Sequence, residues 1–252
     1  MTVSEGAWAK YIEDLRKIND IAAEKMAKYL ETHALTTYED IVAAVDYGYA
    51  LATKYGEGAA ELACEMYDVM AAASGVTVPA AAPAATATYG EIAKTLQGIM
   101  KVSQNVEMLS SAVGRAVKTA GVDTTIQNAI RDGAQFAWIP QGDTCAFCLA
   151  LASRGWQYAS KKAMKNGHAE HIHSNCDCTY AVRFNDDTNV QGYDPNRYLR
   201  MYNATDGTPK EKINAMRRDF YAENKEEINA QKRSAYEKRK ERESSSAEEL
   251  NI

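Results

Sequence analysis

No run of apolar residues in this chain reaches the roughly 18–20 that a helix needs to cross a bilayer. The opening stretch MTVSEGAWAKYIEDLRK has neither the basic region nor the apolar run of a secretory leader. A strong excess of one sign of charge is missing too, with 29 Lys and Arg against 34 Asp and Glu. A formal net charge of -5 argues against a protein that coats nucleic acid with its whole surface, yet it permits a local basic segment. Familiar catalytic signatures are missing: there is no Gly-x-Ser-x-Gly elbow, no Gly-rich phosphate loop and no His-Glu-x-x-His pair. No internal repeat is found. Cysteine and histidine are rare, at five and four in 252 residues. The expectation is a protein made and kept in a cytosol, where thiols stay reduced.

What is present is a composition ordinary for a globular protein, 46% apolar and 25% charged. The length suffices for a real core without staples. Residues 1–133 read as a helical region. Trp8, Tyr11, Ile12, Leu15, Ile18, Ala22, Met26 and Tyr29 recur at spacings of three and four, so they share one helical stripe. Thr2-x-x-Glu5 has the form of that helix's capping box. Thr36-x-x-Glu39 opens a second helix near Tyr38. Gly56 and Gly58 are expected to interrupt it, with a third segment over about 59–73. The stretch SGVTVPAAAPAATAT, residues 74–88, has no periodicity and reads as a linker or long loop. Thr88-x-x-Glu91 reopens a helix carrying Ile92, Leu96, Ile99 and Met100. Another runs to about Ala120, and a short one starts at Thr124 and ends near Gly133. His33 suits a helix C-terminus, and Cys64 reads as a small core residue.

The pattern changes after Gly133. AQFAWIP and CTYAVRF are short, aromatic and β-branched, the marks of two strands. CAFCLALASRG between them reads as a short helix ending at Gly155. Trp138 and Trp156 are expected to pack a small core. DPNRYLRMYN begins a helix at Asp194-Pro195. A last helix starts with Thr208 as N-cap, Pro209 at N1 and Glu211 at N3. The fold class expected is mainly α with a small α+β knuckle. It divides into a helical region 1–133, a Cys/His core 134–190, and a C-terminal helical arm 191–252 with a disordered tail.

Four of the five cysteines fall in DTCAFC, residues 143–148, and HIHSNCDC, residues 171–178. A Cys-x-x-Cys turn can place two thiolates on one Zn²⁺, and a tetrahedral site needs two ligands more. Cys145, Cys148 and His173 are the best set, with Cys176 or Cys178 as the fourth. His171 is also in reach. Alternatives are buried thiols at a strand crossing, disulfides formed in an oxidising setting, or a redox pair, the last without the preceding βαβ pattern. A catalytic version would be a zinc-dependent hydrolase or deaminase with Glu170 as acid/base. Deaminase order, His-x-Glu before Pro-Cys-x-x-Cys, is reversed in this chain.

FAWIPQGDTCAFCLALASRGW followed by HIHSNCDCTYAVRF resembles the MuF-type minor capsid or head morphogenesis proteins of tailed bacteriophages. The matching features are the aromatic-Pro strand 136–140, Asp143-x-Cys145-x-x-Cys148, the ASRG of 152–155, and His173, Cys176 and Cys178. The resemblance implies a non-enzymatic virion protein, made in the bacterial host and built into the head. It would act in assembly near the portal or on the inner capsid surface. Portal or major capsid protein would be its partners, packaged DNA a further contact, and no membrane is involved. It is weakest beyond residue 185. There QKRSAYEKRKERE sets Lys232, Arg233, Lys238, Arg239, Lys240 and Arg242 close together. Read as function, this is a basic arm on DNA phosphates or a partner. Its interleaved Glu237, Glu241 and Glu243 favour a solvated, self-paired face instead. Partner docking by Ile213, Met216, Phe220 and Tyr221 is a further expectation.

Overall fold

A computed structural model describes residues 2–140, 144, 146–158, 179–190, 192–230, 232–234, 236, 237 and 240. They fall in two compact units, each discontinuous in sequence. The first draws on Met1–Ile139, Trp156–Asn175 and Thr179–Tyr193. The second draws on Pro140–Gly155, Cys176–Cys178 and Asp194–Ile252.

Four helices dominate the first unit: α1 Glu5–Thr32, α2 Tyr38–Ala73, α3 Tyr89–Val102 and α4 Val106–Asp132. The apolar stripe read from the sequence is the packing face of α1, with Trp8, Tyr11, Ala22 and Met26 buried. Its cap lies two residues later than Thr2. Ser4 accepts from the Ala7 N–H, because strand β1 (Thr2–Val3) is already extended and pairs in parallel with β5 (Asn189–Val190). The box opening α2 is shifted by one, with Thr37 and Asp40 satisfying each other's backbone N–H. The box of α3 is Thr88 with Glu91, as the sequence predicts.

Gly56 and Gly58 do not interrupt α2, which is continuous over 36 residues. Glycine in a helix costs roughly 1 kcal/mol against alanine, and close approach offsets it here. A Cβ on Gly48 would stand 2.7 Å from Leu96 Cδ1, and one on Gly56 3.0 Å from Thr86 Cγ2. Ala44, Gly48, Ala52, Gly56 and Ala60 recur every fourth residue and are buried. This small-residue ridge lets α3 and α4 pack close. Helix α4 is likewise unbroken where two helices are expected. The Thr124 hydroxyl donates to the Ala120 carbonyl inside the helix rather than capping a new one. Met26, Leu30, Val45, Leu51, Leu96, Leu109, Val113 and Val117 join all four helices in one core. Cys64 is only half-buried, so it is not the core residue expected; burial and the neighbouring carboxylates of Asp68 and Glu61 still push its thiol up.

Residues 74–88 are irregular, as expected, but they are pinned as a strap. Asn128 bonds both backbone groups of Ala82, accepting at 3.0 Å and donating at 2.8 Å. The Ala84 N–H donates to Thr124 Oγ1 and the Ala81 N–H to Asp68. Arg131 donates to the carbonyls of Pro79 and Ala80. Side chains of two helices thus supply the partners that a strap without secondary structure lacks.

A sheet of order β3-β2-β4 completes the unit, with β2 at Gln135–Ile139, β3 at Gln157–Tyr158 and β4 at Thr179–Arg183, all antiparallel. The second unit holds α5 Ala146–Ala152, α6 Pro195–Asn203 and α7 Pro209–Glu223, which pack on one another. Gly155 ends the first segment at φ 66, as the sequence predicts, and a Cβ there would stand 3.3 Å from Pro195 Cβ. Asp194 caps α6, and the Thr208–Glu211 box opens α7 with Pro209 in its first turn. Helical turns continue over residues 225–230. The fold class is the one expected: mainly helical, with a small antiparallel sheet and a C-terminal helix.

Candidate functional site

The two strands that flank the Cys/His stretches are partners. Gln135 stands opposite Arg183, and the register runs through Phe136–Val182, Ala137–Ala181 and Trp138–Tyr180 to Ile139–Thr179. Strand β2 is buried from Phe136 to Ile139 and β4 from Thr179 to Val182. Trp138, 1% exposed, sits 4.9 Å from Phe136 and 5.1 Å from Tyr180, centroid to centroid. The Tyr11 hydroxyl reaches Thr125 and Thr179, and burial drives its pKa well above the usual phenol range. At the other end Arg183 bonds Gln135 at 2.6 Å, pairs with Asp186 at 2.6 Å and lies 5.0 Å above Trp156. Trp156 meets Tyr193 edge-on at 5.7 Å. Both tryptophans therefore pack, as expected.

This register fixes one property of the two stretches. Cys178 is covalently joined to Thr179, and Cys145 follows Ile139 by six residues. Both stretches thus leave the same end of one paired ribbon. Of the proposed ligands, Cys148 is described: it is 3% exposed on α5, beside the buried Leu149 and Leu151. Cys145, His171, His173, Cys176 and Cys178 lie outside the described residues, as do Asp143 and Glu170. Among the described residues no three His, Cys, Asp or Glu side chains converge as a metal site. The donor set itself suits zinc, and a buried Cys148 has the seclusion of a structural thiolate.

The only imidazole among the described residues is His33. It caps α1, bonds the Tyr29 carbonyl through Nδ1 at 2.9 Å and stacks on the Tyr29 ring at 4.0 Å. Lys232, Arg233 and Lys240 are exposed. Lys232 lies 5.6 Å over Tyr221, whose hydroxyl donates to Asn229. Lys238, Arg239, Arg242 and the tail fall outside the described residues. The stripe expected to dock a partner is largely spent inside its own unit, with Met216 and Phe220 buried. Its amphipathic spacing signalled burial without saying against what.

Sequence reasoning missed the strap-binding side chains Thr124, Asn128 and Arg131. A buried Asn in a helix was their one visible signal. It also missed Asp123, a partly buried carboxyl on α4. Burial and the nearby Glu91 carboxylate push it up to about 6. No helix among the described residues is long and apolar enough to cross a membrane.

No curated protein and no solved structure matches the chain. A family model described as VG15 protein matches residues 2–205, spanning the first unit's helices, the strand pair and the motif-bearing segments. The chain accordingly belongs to the VG15 protein family, a family of viral proteins, and is a phage protein.

Proposed function

We propose that this phage protein is a non-enzymatic minor structural component of the virion head, of the MuF type. It acts in capsid assembly near the portal or on the inner capsid surface, and portal or major capsid protein is its partner. The observation that carries the reading is the five-residue register of β2 with β4. It makes the aromatic-Pro segment and the segment after the His/Cys stretch one continuous ribbon, the core of the MuF-like motif. In this reading Cys145, Cys148 and His173, with Cys176 or Cys178, hold a structural zinc ion. The ion would clamp the loops that leave the ribbon and would perform no chemistry. Lys232, Arg233, Lys238, Arg239, Lys240 and Arg242 offer a secondary contact to packaged DNA.

The test is fractionation of intact phage particles with quantitative mass spectrometry. The chain is expected in DNA-filled heads at low copy number, cross-linking to portal or major capsid protein. Finding it only in the lysate, with particles assembling normally when its gene is deleted, would overturn the assignment.

A further inference from the structure

A cluster on the flank of the first unit has no role in the head-protein reading. Tyr89, the first residue of α3, donates its hydroxyl to Asp46 Oδ1 on α2 at 2.9 Å. The Tyr49 ring meets the Tyr89 ring edge-on, with centroids 5.4 Å apart and planes at 81°. Tyr38 starts α2 and is 73% exposed. It shares the Tyr49 stripe, since eleven residues are close to three full turns.

Two features of the cluster are not those of core packing. Aromatic rings that serve a core are buried, yet Tyr89 is 43% exposed and Tyr38 more so. An exposed carboxylate on a helix is commonly matched by a Lys or Arg a turn away. Among the described residues the Asp46 carboxylate has no cation within ion-pair distance and bonds only the Tyr89 hydroxyl. That bond occupies Oδ1 and leaves Oδ2 open. An oriented carboxylate beside π-faces attracts cations, and a guanidinium suits it best because it can stack on a ring while its N–H groups reach an oxygen. The same carboxylate repels phosphate, which argues for protein over nucleic acid.

We infer that Asp46, Tyr49 and Tyr89 form a receptor for an arginine side chain presented by another protein chain. The site stands independently of the zinc motif and of the head location.

The experiment is an NMR titration of the full chain with the peptide acetyl-Gly-Arg-Gly-amide, using the citrulline analogue as the neutral control. The arginine peptide is expected to move the Tyr49 and Tyr89 ring resonances saturably, in a range on the order of millimolar for one exposed anchor. The citrulline peptide should leave them in place. Asp46→Asn and Tyr49→Leu should each weaken the arginine response about threefold to fivefold, the scale of one exposed cation–π or ionic contact. Asp46 is exposed and Tyr49 is half-buried against the helical core, so circular dichroism checks that each variant stays folded. Equal shifts with citrulline, no saturable shift up to about 50 mM, or an unchanged response in Asp46→Asn would overturn the proposal. So would a tighter response to a single-stranded oligonucleotide than to the arginine peptide.

Discussion

The first unit draws its core from helices of 28, 36, 14 and 27 residues and closes a sheet onto them. The second is built from helices of 7, 9 and 15 residues. It buries Leu149, Tyr198, Met201, Met216, Phe220 and Ile228. Long helices present many turns to one another, so propensity, capping and packing reinforce each other. Shorter helices present about two to four turns, and a core of that size is ordinarily helped by a metal or a partner. The comparison explains why a zinc clamp would matter in one place and be superfluous in the other.

The largest effect should come from removing that clamp. If zinc holds Cys145, Cys148, His173 and one further cysteine, a strong chelator should release about one ion per chain, the stoichiometry of a closed tetrahedral site. Amides of α5, α6 and α7 should then lose hydrogen-exchange protection while α1, α2 and α4 keep theirs. Loss spread evenly over both units would break the comparison. Next comes Trp138→Ala, which empties a fully enclosed ring site in the sheet. It should cost about 3–5 kcal/mol in denaturant unfolding, with the loss of protection centred on β2, β4 and α4.

Asp123→Asn should work in the other direction. Burial and Glu91 raise this carboxyl from 3.8 to about 6, so the folded state holds the proton more tightly than the unfolded chain. Its contribution to stability is complete below about pH 4 and is lost as pH rises through about 6. Stability of the wild type relative to Asp123→Asn should therefore fall across that window. At pH 7 the asparagine variant should be more stable by about 2 kcal/mol, after discounting for the group's partial exposure. Parallel pH curves for the two proteins would remove Asp123 as the cause. The smallest effect contrasts two glycines. Gly48→Ala must displace Leu96 and should cost about 1–3 kcal/mol. Gly98→Ala, with nothing within 4 Å, should gain up to about 1 kcal/mol from helix propensity. Chemical denaturation of both variants measures the difference.

Much of this was legible from local rules. The Thr88–Glu91 and Thr208–Glu211 boxes, the Pro195 and Pro209 starts, and both strands stand where the sequence places them. What failed was reading punctuation without tertiary context. Gly56 and Gly58 look like breaks, but α2 runs through both and Gly56 is a contact point, a distinction that depends on neighbours tens of residues away. Thr124 looks like a cap, but its hydroxyl serves the helix behind it and the strap beside it. The strap's backbone partners on α4 lie forty or more residues along the chain, beyond any local window. Of the candidate site, the sequence named the donor set, and the strand register adds that both stretches begin at one end of the ribbon.

The parallel pairing of Thr2–Val3 with Asn189–Val190 has a consequence for birth at the ribosome. Strand β1 must wait for a partner made nearly two hundred residues later, at roughly 5–20 residues per second. The long helices can form during that interval, but this strand pair stays open until Val190 has been made. A bulky fusion ahead of Thr2 would crowd that closing step.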